Sequence, residues 1–213
     1  MKKDPLTINP DASFYEARTL IRDKGIRHLP VVDKKHHIVG ILTDRDIRTA
    51  APSDATTLSV HELHYVLGKL QVSAFMTPAD RLVTVTPDTT FEKAVQLMHD
   101  YKIGCLPVLD GRELVGIVTE TDVLETFVDV MGLKVEVTRL TLALEDEPGK
   151  AHDVLEVIKK YGINLVSIYT SSYKVEGKRI VVIRIRTQEY EEVVAEIERL
   201  GYKVLGVDRW PST

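Results

Sequence analysis

The sequence predicts an α+β protein of three folded units, the first two being copies of one another. Three observations carry this. The octets GILTDRDI (Gly40–Ile47) and GIVTETDV (Gly116–Val123) share one pattern. The likeness extends outward, because NPDASFYEARTLIRDKGIRHLPVVD (Asn9–Asp33) aligns with TPDTTFEKAVQLMHDYKIGCLPVLD (Thr86–Asp110). From Val137 the periodicity changes to strand-helix-strand-strand-helix-strand.

Each of the two copies reads strand, helix, strand, strand, helix. Phe14, Ala17, Leu20 and Ile21 match Phe91, Ala94, Leu97 and Met98, a spacing that puts them on one helix face. Ser13 with Glu16, and Thr89 with Glu92, are the expected capping boxes. The helices end near Gly25 and Lys102. Strands follow at His28–Val32 and Cys105–Leu109, then at Ile38–Leu42 and Leu114–Val118, so each octet straddles the end of a strand and the start of a helix. One copy is too short to bury much core; two packed face to face bury both sheets. Between them, APSDATT reads as loop and LSVHELHYVLGKLQV as helix, with Ser59 and Glu62 as a capping box. Thr121–Gly132 reads as a helix leading into the third unit.

In that third unit VTRLTLAL is a half-buried strand, EDEPG a turn and KAHDVLEVIKKYG a helix ending at Gly162. INLVSIYTSSY and KRIVVIRIRT are strands around the hairpin connection KVEGK. EYEEVVAEIERLG is a helix and YKVLGVD the last strand. This order reads as a ferredoxin-like sandwich. The expected boundaries are 1–51, a linker with helix at 52–73, 74–132 and 133–213.

Composition narrows the function. The chain has 213 residues, a formal net charge of −4 and 28% charged residues, and its pI is near 6.0. Sequence-independent nucleic-acid binding needs a concentrated positive field and is not expected. No apolar run reaches the roughly 20 residues that cross a bilayer. MKKDPLTI lacks the apolar segment of a signal peptide, and the one cysteine, Cys105, has no internal partner. A cytoplasmic protein is expected.

The repeated Thr and Asp ask for chemistry. Thr43 and Thr119 open helices, where free N–H groups and the dipole favour an anion. Asp46 and Asp122 lie one turn in, where a carboxylate can accept from the two hydroxyls of a ribose. The plainer alternative is that Thr caps the helix and Asp complements its dipole. The two copies are also unequal. Arg27, His28 and Arg45 in the first correspond to Gly104, Cys105 and Thr121 in the second. Cations suit phosphate, although Arg27 and Arg45 could equally be solvated surface charge.

The strands Leu29–Asp33 and Leu106–Asp110, with the G-h-h-T-x-x-D turn, resemble a tandem pair of CBS (cystathionine beta-synthase) domains, the regulatory Bateman module. The resemblance implies adenosine-containing ligands (AMP, ADP, ATP or another adenosine compound). It implies Asp46 and Asp122 on ribose, Thr43 and Thr119 near phosphate, and Thr7–Ile8 and Thr84–Val85 against adenine. The VSAFMT lead-in to the second copy has no full equivalent before the first.

The third unit resembles an ACT domain through D-x-P-G (Asp146–Gly149) and GIN (Gly162–Asn164). That resemblance implies an amino acid held at a subunit interface by Asp146, Gly149 and Asn164. The plainer reading is that Pro-Gly starts a helix and Asn164 suits a turn. The whole arrangement is similar to the acetoin-utilisation family, implying a link to acetoin and acetate metabolism. The expectation is a non-catalytic regulatory sensor that dimerises through the run IVVIRI (Ile180–Ile185) and acts on a metabolic enzyme. An adaptor with empty clefts and, less favoured, a hydrolase are the alternatives. HELH (His61–His64) has the wrong spacing for a zinc protease helix, and no P-loop or G-x-G-x-x-G occurs.

Overall fold

A computed structural model describes residues 1–52 and 59–210, and most of the APSDATT stretch lies outside the described residues. The chain divides into two compact units, Met1–Val123 and Leu124–Thr213.

In the first unit each copy forms a helix and a β-hairpin. The first has α1 (Phe14–Lys24), β2 (His28–Val32), β3 (Ile38–Thr43) and α2 (Asp44–Ala50), preceded by β1 (Lys2–Lys3). Then α3 (Val60–Lys69) and β4 (Thr77–Pro78) lead to the second copy: α4 (Phe91–Tyr101), β5 (Cys105–Asp110), β6 (Glu113–Thr119) and α5 (Glu120–Val130), of which Glu120–Val123 fall in the first unit. Ser13 caps α1 by accepting from the Glu16 N–H. Gly25 and Lys102 both close their helices in the left-handed conformation. Ser59 and Glu62 form the expected reciprocal box on α3. One cap is displaced. Thr90, not Thr89, caps α4 by accepting from the Lys93 N–H, because Thr90 is the residue that aligns with Ser13; Thr89 instead accepts from the Thr86 N–H.

The first strand of each copy shrinks to a single parallel bridge, Ile8 to Val31 and Val85 to Val108. Asn9–Pro10 and Thr86–Pro87 follow at once, and proline has no N–H with which to extend a ladder. The third strand of each sheet comes from elsewhere. β4, in the lead-in to the second copy, pairs with β3; β1 pairs with β6. Lys2–Lys3 thus does for the second sheet what Thr77–Pro78 does for the first.

Phe14, Ala17 and Ile21 of α1 pack with Leu29, Val31, Leu42 and Ile47, and Leu67 and Val72 complete that core. Ala94, Met98, Leu106, Val108 and Val118 form the matching core of the second copy. Ile41, Cys105 and Ile117, with Leu82, join the two sheets.

The second unit has β7 (Val137–Leu144), α6 (Lys150–Lys160), β8 (Leu165–Val175), β9 (Lys178–Ile185), α7 (Glu191–Arg199) and β10 (Lys203–Trp210). The antiparallel sheet runs β10-β7-β9-β8, the ferredoxin-like order. Leu140, Leu142, Val181, Ile183 and Ile185 meet Val154, Val157, Ile158, Val193 and Ile197 of the helices. IVVIRI therefore lies inside the sheet and is no open edge. A continuous apolar run suits a strand covered on both faces, and here Val181 to Ile185 are all buried. The edges are β8 and β10. On the face away from the helices, Met131–Leu133 crosses the sheet. The Ser167 hydroxyl donates to the Met131 carbonyl at 3.3 Å, and the Trp210 indole N–H donates to that of Leu133 at 2.7 Å.

Candidate functional site

The octets build the site through local hydrogen bonding. The Thr43 N–H and hydroxyl both donate to Asp46 Oδ2, at 2.8 and 2.6 Å, while the Asp46 N–H donates back to Thr43 Oγ1 at 3.2 Å. The second copy repeats this: Thr119 donates twice to Asp122 Oδ2, at 2.7 and 2.8 Å, and receives the Asp122 N–H at 3.3 Å. The capping alternative is therefore realised in both copies. It orients each Thr at the mouth of its helix, as a capping box does.

Between the two copies lies a cleft of about 380 Å³. Of the residues predicted for ligand binding, Arg27, His28, Thr43, Arg45 and Cys105 line it. Four of these belong to the first predicted set, and Cys105 is the one member of the second that lines the cleft with them. Half-buried Asp46 and Asp122, exposed Thr84 and Thr121, half-buried Thr7 and Thr119, and buried Ile8 and Val85 lie outside that lining. Ile8 and Val85 are engaged in backbone pairing: their N–H groups donate to the carbonyls of Pro30 and Pro107, both at 3.0 Å.

The cleft is lined by two kinds of residue. Ile41, Leu82, Val83, Ile103 and Pro107 are apolar. Five cations, Arg27, Arg45, Arg48, Arg81 and Lys102, also line it, with Asp44 as the lining carboxylate. Asp44 holds Arg48 at 2.6 Å. Arg48, Arg81 and Lys102 were missed because they sit outside the repeated motif; only the packing of one copy on the other brings them together. The His28 ring passes close to Gly104, where an added Cβ would stand 3.0 Å from His28 Nε2. Burial holds His28 below the usual imidazole pKa against the opposing pull of Glu120, and Arg27 adds to the lowering. Burial, helped by Glu120, pushes the Cys105 thiol up to about 12, so it is no nucleophile.

In the second unit, Asp146 accepts from Arg179 Nε and Nη2, both at 2.8 Å, and pairs with Lys174 at 3.2 Å. Gly149, at φ 93°, begins α6, whereas exposed Asn164 follows its far end. The 11 residues of α6 span about 16 Å. One chain therefore does not bring Asp146, Gly149 and Asn164 together. Among the described residues no group of three His, Cys, Asp or Glu could hold a metal ion, and no helix is long and apolar enough to cross a membrane.

The CBS domain model matches residues 1–53 and 72–129. The chain belongs to the CBS-domain family. Its tandem CBS pair is followed by a TTHA0829-like ACT domain, matched at residues 137–208. A CBS domain-containing protein of Dictyostelium discoideum is 33% identical over 62% of this chain and 90% of its own length. Inosine-5'-monophosphate dehydrogenase of Pasteurella multocida is 29% identical over 82% of this chain, but the match spans only 33% of that enzyme. Among solved structures, the acetoin utilization protein AcuB of Vibrio cholerae is 26% identical with a TM-score of 0.52, covering 63% of this chain and 90% of its own. CBSX2, solved in complex with AMP, is 25% identical with a TM-score of 0.51, covering 62% and 94%.

Proposed function

We propose that the CBS pair is a non-catalytic regulatory sensor that binds an adenosine-containing ligand in the cleft between its two copies. The observation that carries this is the mixed lining of the cleft, apolar residues alongside cations. Ile41, Leu82, Val83, Ile103 and Pro107 suit a purine, and the cations that share the lining suit phosphate. The resemblance to CBSX2, solved with AMP, supports the same ligand class. In this reading Asp46 aims Thr43 through Oδ2 and offers its other oxygen to ribose. Thr84, Val85, Thr119, Thr121 and Asp122 serve a second, weaker position. Ligand bridging the copies biases their relative angle by its differential affinity for the two arrangements.

The wider role follows the same line. The 26% identity to AcuB supports a role in acetoin utilization; acetate metabolism, a cytoplasmic location and a metabolic enzyme as the regulated partner complete the proposal. The edge strand β8, with Leu165, Ile168 and Tyr173 exposed, favours a homodimer. An amino acid at Asp146, Gly149 and Asn164 requires that second copy. Thermal unfolding with AMP, ADP, ATP and other adenosine compounds tests the sensor: a ligand at 100 times its Kd adds about 2.7 kcal/mol. A panel that leaves the transition unmoved contradicts it.

A further inference from the structure

The cations of the cleft are more numerous than a single phosphate needs. Asp44 neutralises Arg48. Among the described residues, Arg27, Arg45, Arg81 and Lys102 have no carboxylate within the 4.0 Å of an ion pair. They come from both copies: Arg27 precedes β2 and Arg45 lies in the first turn of α2, while Arg81 ends the turn after β4 and Lys102 is the left-handed cap of α4. The chain as a whole is negative, at −4, so this concentration is local. Four like charges facing one partly apolar cleft repel, and a monophosphate neutralises only part of that field. A linear chain of phosphates reaches cations on both sides.

We infer that the cleft selects adenosine ligands carrying three or more linked phosphates, with Arg81 and Lys102 of the second copy closing on a chain that Arg27 and Arg45 hold from the first. The inference rests on the adenosine reading above and adds Arg81 and Lys102 as specificity-determining residues. Glu120 is not itself a lining residue but lies beside His28 and Gly104, which are, and its charge opposes an anion there.

Calorimetric titration of the full chain with AMP, ADP, ATP and inorganic tripolyphosphate tests it, without divalent cations and at two salt concentrations. The expected order is ATP over ADP over AMP. Arg81→Gln and Lys102→Gln each weaken ATP about tenfold, the loss of one charge-assisted contact. They change AMP far less, and the difference shrinks as salt rises. Glu120→Gln tightens ATP about threefold. Arg81 and Lys102 are exposed, and circular dichroism verifies that both variants fold. Equal affinity for the three nucleotides, or equal weakening of all three in the variants, overturns the inference while leaving the adenosine reading standing. Tripolyphosphate binding with no nucleotide preference overturns the adenosine reading and keeps the polyphosphate class. No binding of any of the four overturns both.

Discussion

Asp46 spends one carboxylate oxygen, Oδ2, on both the N–H and the hydroxyl of Thr43, at 2.8 and 2.6 Å. A residue proposed for ribose is therefore also the anchor of the helix start. Asp46→Ala should cost about 0.5–2 kcal/mol of stability without any ligand, the usual loss for a broken cap. Asp46→Asn keeps an acceptor for Thr43 and should stay closer to the parent. Denaturant unfolding of both variants checks this; an unperturbed Asp46→Ala would mean the reciprocal pair contributes nothing.

Gly40 and Gly116 open the two octets for a packing reason. A Cβ on Gly40 would stand 2.7 Å from the Thr77 carbonyl oxygen and 2.6 Å from Met76 Sδ. On Gly116 the nearest atoms are Met1 Sδ at 2.9 Å and the Lys2 carbonyl oxygen at 3.1 Å. Backbone cannot yield as a side-chain end can, so Gly40→Ala should destabilise by about 1–3 kcal/mol and Gly116→Ala by less. Thermal melts of the two variants give the order, and the reverse order would contradict it.

The Arg179 fork, with Lys174 beside it, holds Asp146 well below the usual carboxylate range, at about 2 against 3.8. A carboxylate with a depressed folded pKa stabilises the protein fully above its unfolded value and loses that contribution as pH falls through the folded one. The melting-temperature gap between parent and Asp146→Asn should be constant above pH 5 and narrow between about pH 4 and pH 2. A gap independent of pH would show that the pair contributes through packing alone.

Much of this was legible in the sequence for identifiable reasons. The α1 and α4 faces announce themselves through Phe14, Ala17 and Ile21 and their counterparts, because burial of one face imposes a period. The Thr-x-x-Asp pairs were equally visible. The crossing strands were not, since Lys2–Lys3 and Thr77–Pro78 are two residues long and carry no alternation. Arg81 and Lys102 look like surface charge until the second copy packs on the first. IVVIRI named a strand but not its place in the sheet, which depends on pairing with both β7 and β8. The separation of Asp146 from Asn164 follows from the length of α6, which the ACT resemblance alone does not raise.

The central claim, that the cleft between the copies is the ligand site, is tested most directly by titrating ATP against the parent and Gly104→Leu. Gly104 lines the cleft, has an ordinary backbone conformation, and would grow its side chain toward His28. The account predicts saturable binding to the parent and its loss in a Gly104→Leu variant that still melts cooperatively. Undiminished ATP binding in the variant, or none in the parent, would contradict it.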